Sequence, residues 1–133
     1  MAQLRTLAVL FVLAACDRPD SEAAAAQQQQ LTDTCTQLYQ RQRACTDSFI
    51  PALVDLRQQL DKPSGISKAP RAEVIAAALD EWKVDSTDEA IAAQCDRMAS
   101  ELPVAEAKRC ASLNACGELV PCVLPLVRAR LER

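Results

Sequence analysis

The chain has 133 residues, with 15 Lys and Arg against 18 Asp and Glu, for a formal net charge of -3. It contains no His, which excludes Ser-His-Asp and Cys-His catalysis and any His-bearing zinc site. Two isolated glycines, Gly65 and Gly117, cannot form a Gly-x-Gly-x-x-Gly turn or a phosphate loop. An acidic chain with one Trp, one Tyr and two Phe also lacks the basic face and stacking platform of a nucleic-acid binder.

Residues 1–15 read as a secretory signal peptide. Arg5 supplies the positive start, Leu7-Ala8-Val9-Leu10-Phe11-Val12-Leu13 the apolar run, and Ala14-Ala15 the small residues before a cleavage point. The apolar run is too short to span a bilayer, which takes about 20 residues. Cys16 follows. Leu13-Ala14-Ala15-Cys16 resembles the lipobox of bacterial lipoproteins. Ordinary signal cleavage would want a small residue where Leu13 stands.

The resemblance implies a diacylglyceryl group on the Cys16 thiol through a thioether. Cleavage before Cys16 would free its amine for a further acyl chain of the palmitate type. Each buried methylene contributes about 0.8 kcal/mol, so two or three chains anchor firmly where one does not. It also implies a place in the bacterial cell envelope, with the domain outside the cytoplasm. Asp17 matches the enteric rule that retains lipoproteins in the inner membrane. Other lineages sort differently, which leaves inner or outer membrane open.

Residues 16–30 form the expected lipidated Cys and tether, Cys16 and then Asp-Arg-Pro-Asp-Ser-Glu followed by four Ala and four Gln. With no large apolar side chain, this stretch cannot offset the entropy of being ordered, which predicts a flexible spacer. Ala and Gln are also good helix formers, so a helical extension from Ala23 onward is the alternative.

Residues 31–133 predict an all-α domain, a small disulfide-stapled bundle of about four to five helices, some kinked at Pro. Leu31, Cys35, Leu38, Cys45, Phe49, Ala52, Leu56 and Leu60 recur at three- and four-residue steps, with only Gln42 interrupting the stripe. Thr32 or Asp33 can cap this helix. Pro51 keeps the phase, which predicts one long helix kinked there or two nearly collinear ones. Asp61-Lys62-Pro63-Ser64-Gly65 is a break. A second helix follows Pro70, burying Val74, Ile75, Ala78, Leu79 and Trp82. Ser86-Thr87-Asp88-Glu89 reads as a capping box in which Ser86 and Glu89 satisfy free N–H groups. The helix it opens carries Ile91, Cys95, Met98 and Leu102. Pro103 starts a short helix with Cys110. The last segment holds Pro121 and Pro125 among Leu and Val, and predicts a kinked helix ending near Arg130.

Apart from Cys16, the cysteines are Cys35, Cys45, Cys95, Cys110, Cys116 and Cys122, an even number that suits structural disulfides in an oxidising compartment. On one helix, Cys35 and Cys45 would lie about 15 Å apart, and a disulfide needs Cα atoms within about 7 Å. Excluding that pair leaves twelve of the fifteen possible connectivities. In every one, the N-terminal helix is stapled twice to the C-terminal half. The Cys35-x9-Cys45 spacing loosely resembles one arm of the coiled-coil–helix–coiled-coil–helix proteins, which implies helices clamped face to face. The x14, x5 and x5 spacings of the later cysteines depart from that family. No paired Cys-x2-Cys knuckles and no Cys-x-x-Cys redox motif occur, so no metal and no cofactor are expected.

Three further groups carry possible chemistry. Asp80, Glu81, Asp85, Asp88 and Glu89 form an acidic cluster, which reads as a solvated turn or as a patch for a cation or basic partner. Arg128, Arg130 and Arg133 crowd the C-terminus, where they suit the negative end of a helix or an anionic surface. Trp82 is expected in the core, with an exposed anchor as the alternative. The sequence therefore predicts a lipid-anchored, non-enzymatic interaction or structural module, with another envelope protein as partner. The alternatives are a thiol-active protein using a labile pair among Cys110, Cys116 and Cys122, and a carrier of a small apolar ligand.

Overall fold

The structure is a computed structural model that describes residues 19–60 and 68–133. The segment read as a signal peptide, Cys16, Asp17 and the expected break at residues 61–65 lie outside the described residues. The rest is all-α. Six α-helices run in order: α1 (Pro19–Ala44), α2 (Thr46–Gln59), α3 (Arg71–Asp85), α4 (Asp88–Met98), α5 (Val104–Ala111) and α6 (Cys116–Leu131). A single 3-10 turn, Ala99–Glu101, joins α4 to α5.

The helix α1 starts well before the expected cap. Residues 20–30 are helical and exposed, where the sequence predicted a flexible spacer. Ala and Gln have high helix propensity, and a helix already nucleated by the packed body extends without a second nucleation cost. Thr32 and Asp33 are interior residues rather than caps. Thr32 Oγ1 donates back to the Gln28 carbonyl at 3.1 Å, and Asp33 accepts from Gln29 Nε2 at 2.9 Å.

The long stripe breaks at Cys45 rather than at Pro51. Thr46 Oγ1 donates to the Arg43 carbonyl at 2.6 Å, taking an acceptor that a continuing helix would use. Pro51 then sits inside α2. The carbonyl deprived of a donor by its ring belongs to Asp47, an exposed residue open to water. The same holds in α6, where Gly117, Pro121 and Pro125 share one exposed face at four-residue steps. That geometry explains why two prolines do not end the helix.

Pro70 precedes α3 as expected. Of the face predicted for α3, Val74 is buried and Ile75, Ala78, Leu79 and Trp82 are half-buried. The cap of α4 is shifted by one residue. Thr87, not Ser86, accepts from the Ala90 N–H at 3.2 Å. Ser86 ends α3 and is buried, and its carbonyl accepts from Arg43 Nη1 at 2.8 Å. Arg43 also pairs with Asp88 at 2.7 Å, which ties α1 to the α3–α4 turn.

Two hydrophobic clusters hold the helices. The larger is built around Leu38, Phe49, Ile50, Ala107, Leu119 and Val123, from α1, α2, α5 and α6. The smaller is built from Cys35, Ile91, Cys95, Met98 and Ala99, joining α1 to α4 and the 3-10 turn. Three disulfides cross the fold: Cys35–Cys95, Cys45–Cys116 and Cys110–Cys122, with Cα separations of 5.7, 5.4 and 5.5 Å. The first two staple the N-terminal stripe twice to the C-terminal half, and Cys35 and Cys45 do not pair with each other.

Candidate functional site

The two clusters meet along a seam, and a cavity of about 400 Å3 opens there. All five of α1, α2, α3, α4 and α6 contribute to it. Its apolar wall comes from Phe49, Ile50 and Leu53 of α2, Ala78 and Trp82 of α3, and Val127 and Leu131 of α6. Tyr39, Gln42, Arg57, Glu81, Asp85, Gln94 and Arg130 add polar groups. A volume of this size lies near the low end of small-molecule sites, which run about 300–1,000 Å3.

The aromatic side of the cavity is fixed from three directions. Trp82 stacks on Tyr39 at a centroid distance of 6.4 Å and meets Phe49 at 5.5 Å in a tilted pair. Its Nε1 donates to Thr46 Oγ1 at 2.9 Å, the hydroxyl that also ends the long stripe. Trp82 is thus half-buried core with one edge on the cavity. The Tyr39 hydroxyl donates to Met98 Sδ at 3.4 Å, and Arg130 Nη1 reaches the same sulfur at 2.9 Å. Burial pushes the Tyr39 phenol above its ordinary value, against the opposing pull of Arg130 beside it.

The charged groups differ in how they are held. Glu81, Asp85 and Arg130 are exposed, and water screens them. Arg57 is half-buried, and its Nε is a buried donor with no hydrogen-bond partner. Among the described residues it forms no ion pair. An unmade hydrogen bond at a buried donor costs about 1–3 kcal/mol, and more at a charged group. Arg57 follows Ile50 and Leu53 at helical steps, so it stands on the apolar stripe of α2. That position was the available sequence signal, as was Gln42 in the stripe of α1. Gln42 is buried and lines the same cavity.

The other sequence-predicted groups fall elsewhere. The acidic cluster is spread over the end of α3 and the start of α4. Asp80 pairs with Lys83 at 3.0 Å and Asp88 with Arg43. Among the described residues no group of three or more metal-ligating side chains could hold an ion. Arg128 donates to Gln59 Oε1 at 3.4 Å, Arg130 reaches the cavity, and Arg133 is exposed at the chain end. Cys110, Cys116 and Cys122 are all in disulfides, and Cys110–Cys122 closes the shortest loop, with a sequence separation of 12. A second, more open groove of about 710 Å3 runs between α2 and α6, past Ala52, Leu56, Leu124, Pro125 and Ala129. Outside both, Arg71 grips Asp55 through two hydrogen bonds of 2.8 and 3.0 Å, which fastens the start of α3 to α2. The Arg71 hydrogen bond holds the Asp55 carboxyl below the usual carboxylate range.

No family model, curated protein or solved structure matches the chain. Among the described residues no helix is long and apolar enough to cross a membrane.

Proposed function

We propose that the protein is a lipid-anchored bacterial envelope protein. Its stapled helical domain serves as a non-enzymatic interaction or structural module for another envelope protein. The observation that carries this reading is the cysteine pairing. Six of the seven cysteines pair among themselves, which leaves Cys16, directly behind Leu13-Ala14-Ala15, as the thiol for a lipid. Three disulfides also suit the oxidising compartment beyond the inner membrane. The groove between α2 and α6 supports the binding half of the reading, because Pro121, Pro125 and Ala129 are exposed along it, flanked by Asp55, Gln59, Arg128 and Glu132. Anchoring raises the effective concentration of such a surface at the membrane, so a weak contact becomes useful.

The deciding experiment is an intact mass of the membrane-extracted protein, alkylated without and then with reduction. The expected species begins at Cys16, carries acyl chains, and exposes no thiol until reduced. An unacylated Cys16 would remove the anchor. Free thiols among the other six would turn the reading toward a thiol-active protein. For the binding half, Ala129→Arg should leave the acylation of Cys16 and the thiol count unchanged and abolish cross-links to a partner in intact cells. Unchanged cross-links would remove the groove from the reading.

A further inference from the structure

The cavity at the seam has a polarity that the interaction reading does not use. Its wall is apolar and aromatic, and its one half-buried charge is a guanidinium whose Nε lacks an acceptor. The carboxylates at the cavity, Glu81 and Asp85, are exposed and solvated, and Arg130 is engaged with the Met98 sulfur. The group left wanting a partner is therefore a cation, on a half-buried side chain at a cavity that Leu53 and Val127 also line. A ligand that satisfies both features has an apolar body and an anionic head. The volume of about 400 Å3 admits a single chain or ring and excludes a two-chain lipid.

We infer that the cavity is a binding site for a small amphipathic carboxylate. The Arg57 guanidinium receives its head group, and its apolar body lies against Phe49, Leu53 and Trp82. Planar guanidinium and carboxylate groups match in a fork of parallel hydrogen bonds, which a neutral head cannot reproduce. The apolar wall contributes affinity without selecting the head. Selectivity for the anion thus rests on Arg57, and affinity for the body on the cavity's volume. The same chemistry is met by a fatty acid and by an aryl-substituted acid, which differ in the shape of the body.

Trp82 is the chain's only tryptophan and lines the cavity, so its fluorescence reports occupancy. The purified full chain is titrated with decanoate, decanol and 4-phenylbutyrate. Decanoate or phenylbutyrate should give a saturable change, and the preferred one identifies the body as chain or ring. Decanol should bind at least about tenfold more weakly than decanoate. Arg57→Gln should bring decanoate down to the level of decanol and leave decanol unaffected. Ala78→Phe, which fills the cavity from α3 without touching Arg57, should abolish binding of all three. Equal binding of decanoate and decanol to the unaltered chain overturns the assignment, whether or not the variants fold. So does the absence of a saturable signal with either acid, or an Arg57→Gln chain that is folded and binds decanoate as before.

Discussion

The two hydrophobic clusters share α1 but rest on different foundations. The larger has ten buried residues from four helices, and two of the three disulfides end in it. The smaller has five buried residues, and two of these are the cysteines of its single disulfide. In the larger cluster the staples join helices already held by Leu38, Phe49, Ile50, Leu119 and Val123. In the smaller, the staple is itself a large part of the core, with Ile91 and Met98 supplying most of the remainder. A disulfide therefore reinforces packing at one end of the molecule and substitutes for it at the other.

Removing the Cys35–Cys95 bond should have the largest effect. Chain entropy gives about 4 kcal/mol for its loop of 60, as it does for the Cys45–Cys116 loop of 71, against about 3 kcal/mol for the Cys110–Cys122 loop of 12; only the Cys35–Cys95 bond also supplies two of the five buried residues of its own cluster. The double variant Cys35→Ala, Cys95→Ala should lower the unfolding free energy by about that larger amount. Amide hydrogen exchange should rise in α4 first, with α5 and α6 keeping their protection. Equal loss of protection in all three helices would mean that the clusters open as one unit. Ile91→Ala comes next, at about 2–5 kcal/mol, because the side chain is 1% exposed and leaves a cavity in the sparse cluster. With the disulfide intact, its exchange effect should also stay in α4.

How far these clusters could be read in the sequence depends on the range of the forces involved. Ile91, Cys95 and Met98 mark the buried face of α4 at helical steps, and Pro70 marks the start of α3, because both signals are local. The exclusion of a Cys35–Cys45 bond needs only helix geometry. The actual pairing needs the tertiary placement of α4 and α6, which no spacing encodes. The break at Cys45 turns on one hydroxyl, that of Thr46, choosing the Arg43 carbonyl. The cap moved from Ser86 to Thr87 in a turn where Arg43, from another helix, holds the Ser86 carbonyl. Of the cavity, only Gln42 stood out in the sequence, as the interruption of its stripe; Arg57, at helical steps from Ile50 and Leu53, was a second signal that went unread. Their meeting depends on five helices converging. For the proposed anchor, the motif at Cys16 was legible in the sequence, and the pairing of the other six cysteines was not.

Tyr39 offers a finer probe, because it packs on the smaller cluster and stacks on Trp82 beside the larger. Burial raises its phenol above the ordinary value of 10.0, so the folded state favours the neutral form. The stabilisation is fully present below that ordinary value and is lost as the pH rises through the higher, folded value. Because the chain has one tyrosine, the phenolate absorbance titrates a single group. Its midpoint should lie above 10.0 in the folded protein and return to the ordinary range in denaturant. Tyr39→Phe should flatten the alkaline loss of stability. A midpoint at the ordinary value would mean that water reaches the seam and that the two clusters are less closely joined.

The smallest effect is expected at Gly117, on the far side of the larger cluster. The residue is exposed near the start of α6, and a Cβ added there meets nothing within 4 Å. Its carbonyl is the one deprived of a donor by Pro121, four residues on. If the larger cluster fixes α6 as firmly as its two staples imply, the backbone freedom of glycine serves no purpose in the folded state and only favours the unfolded chain. Gly117→Ala should then raise stability by about 0.5–1 kcal/mol, read as a higher denaturation midpoint at unchanged slope. A lower midpoint would mean that α6 needs local freedom to accommodate the Pro121 ring. The prolines would then be a strain that the Cys45–Cys116 and Cys110–Cys122 bonds hold in place, and in the larger cluster too the staples would compensate for a weakness in the packing.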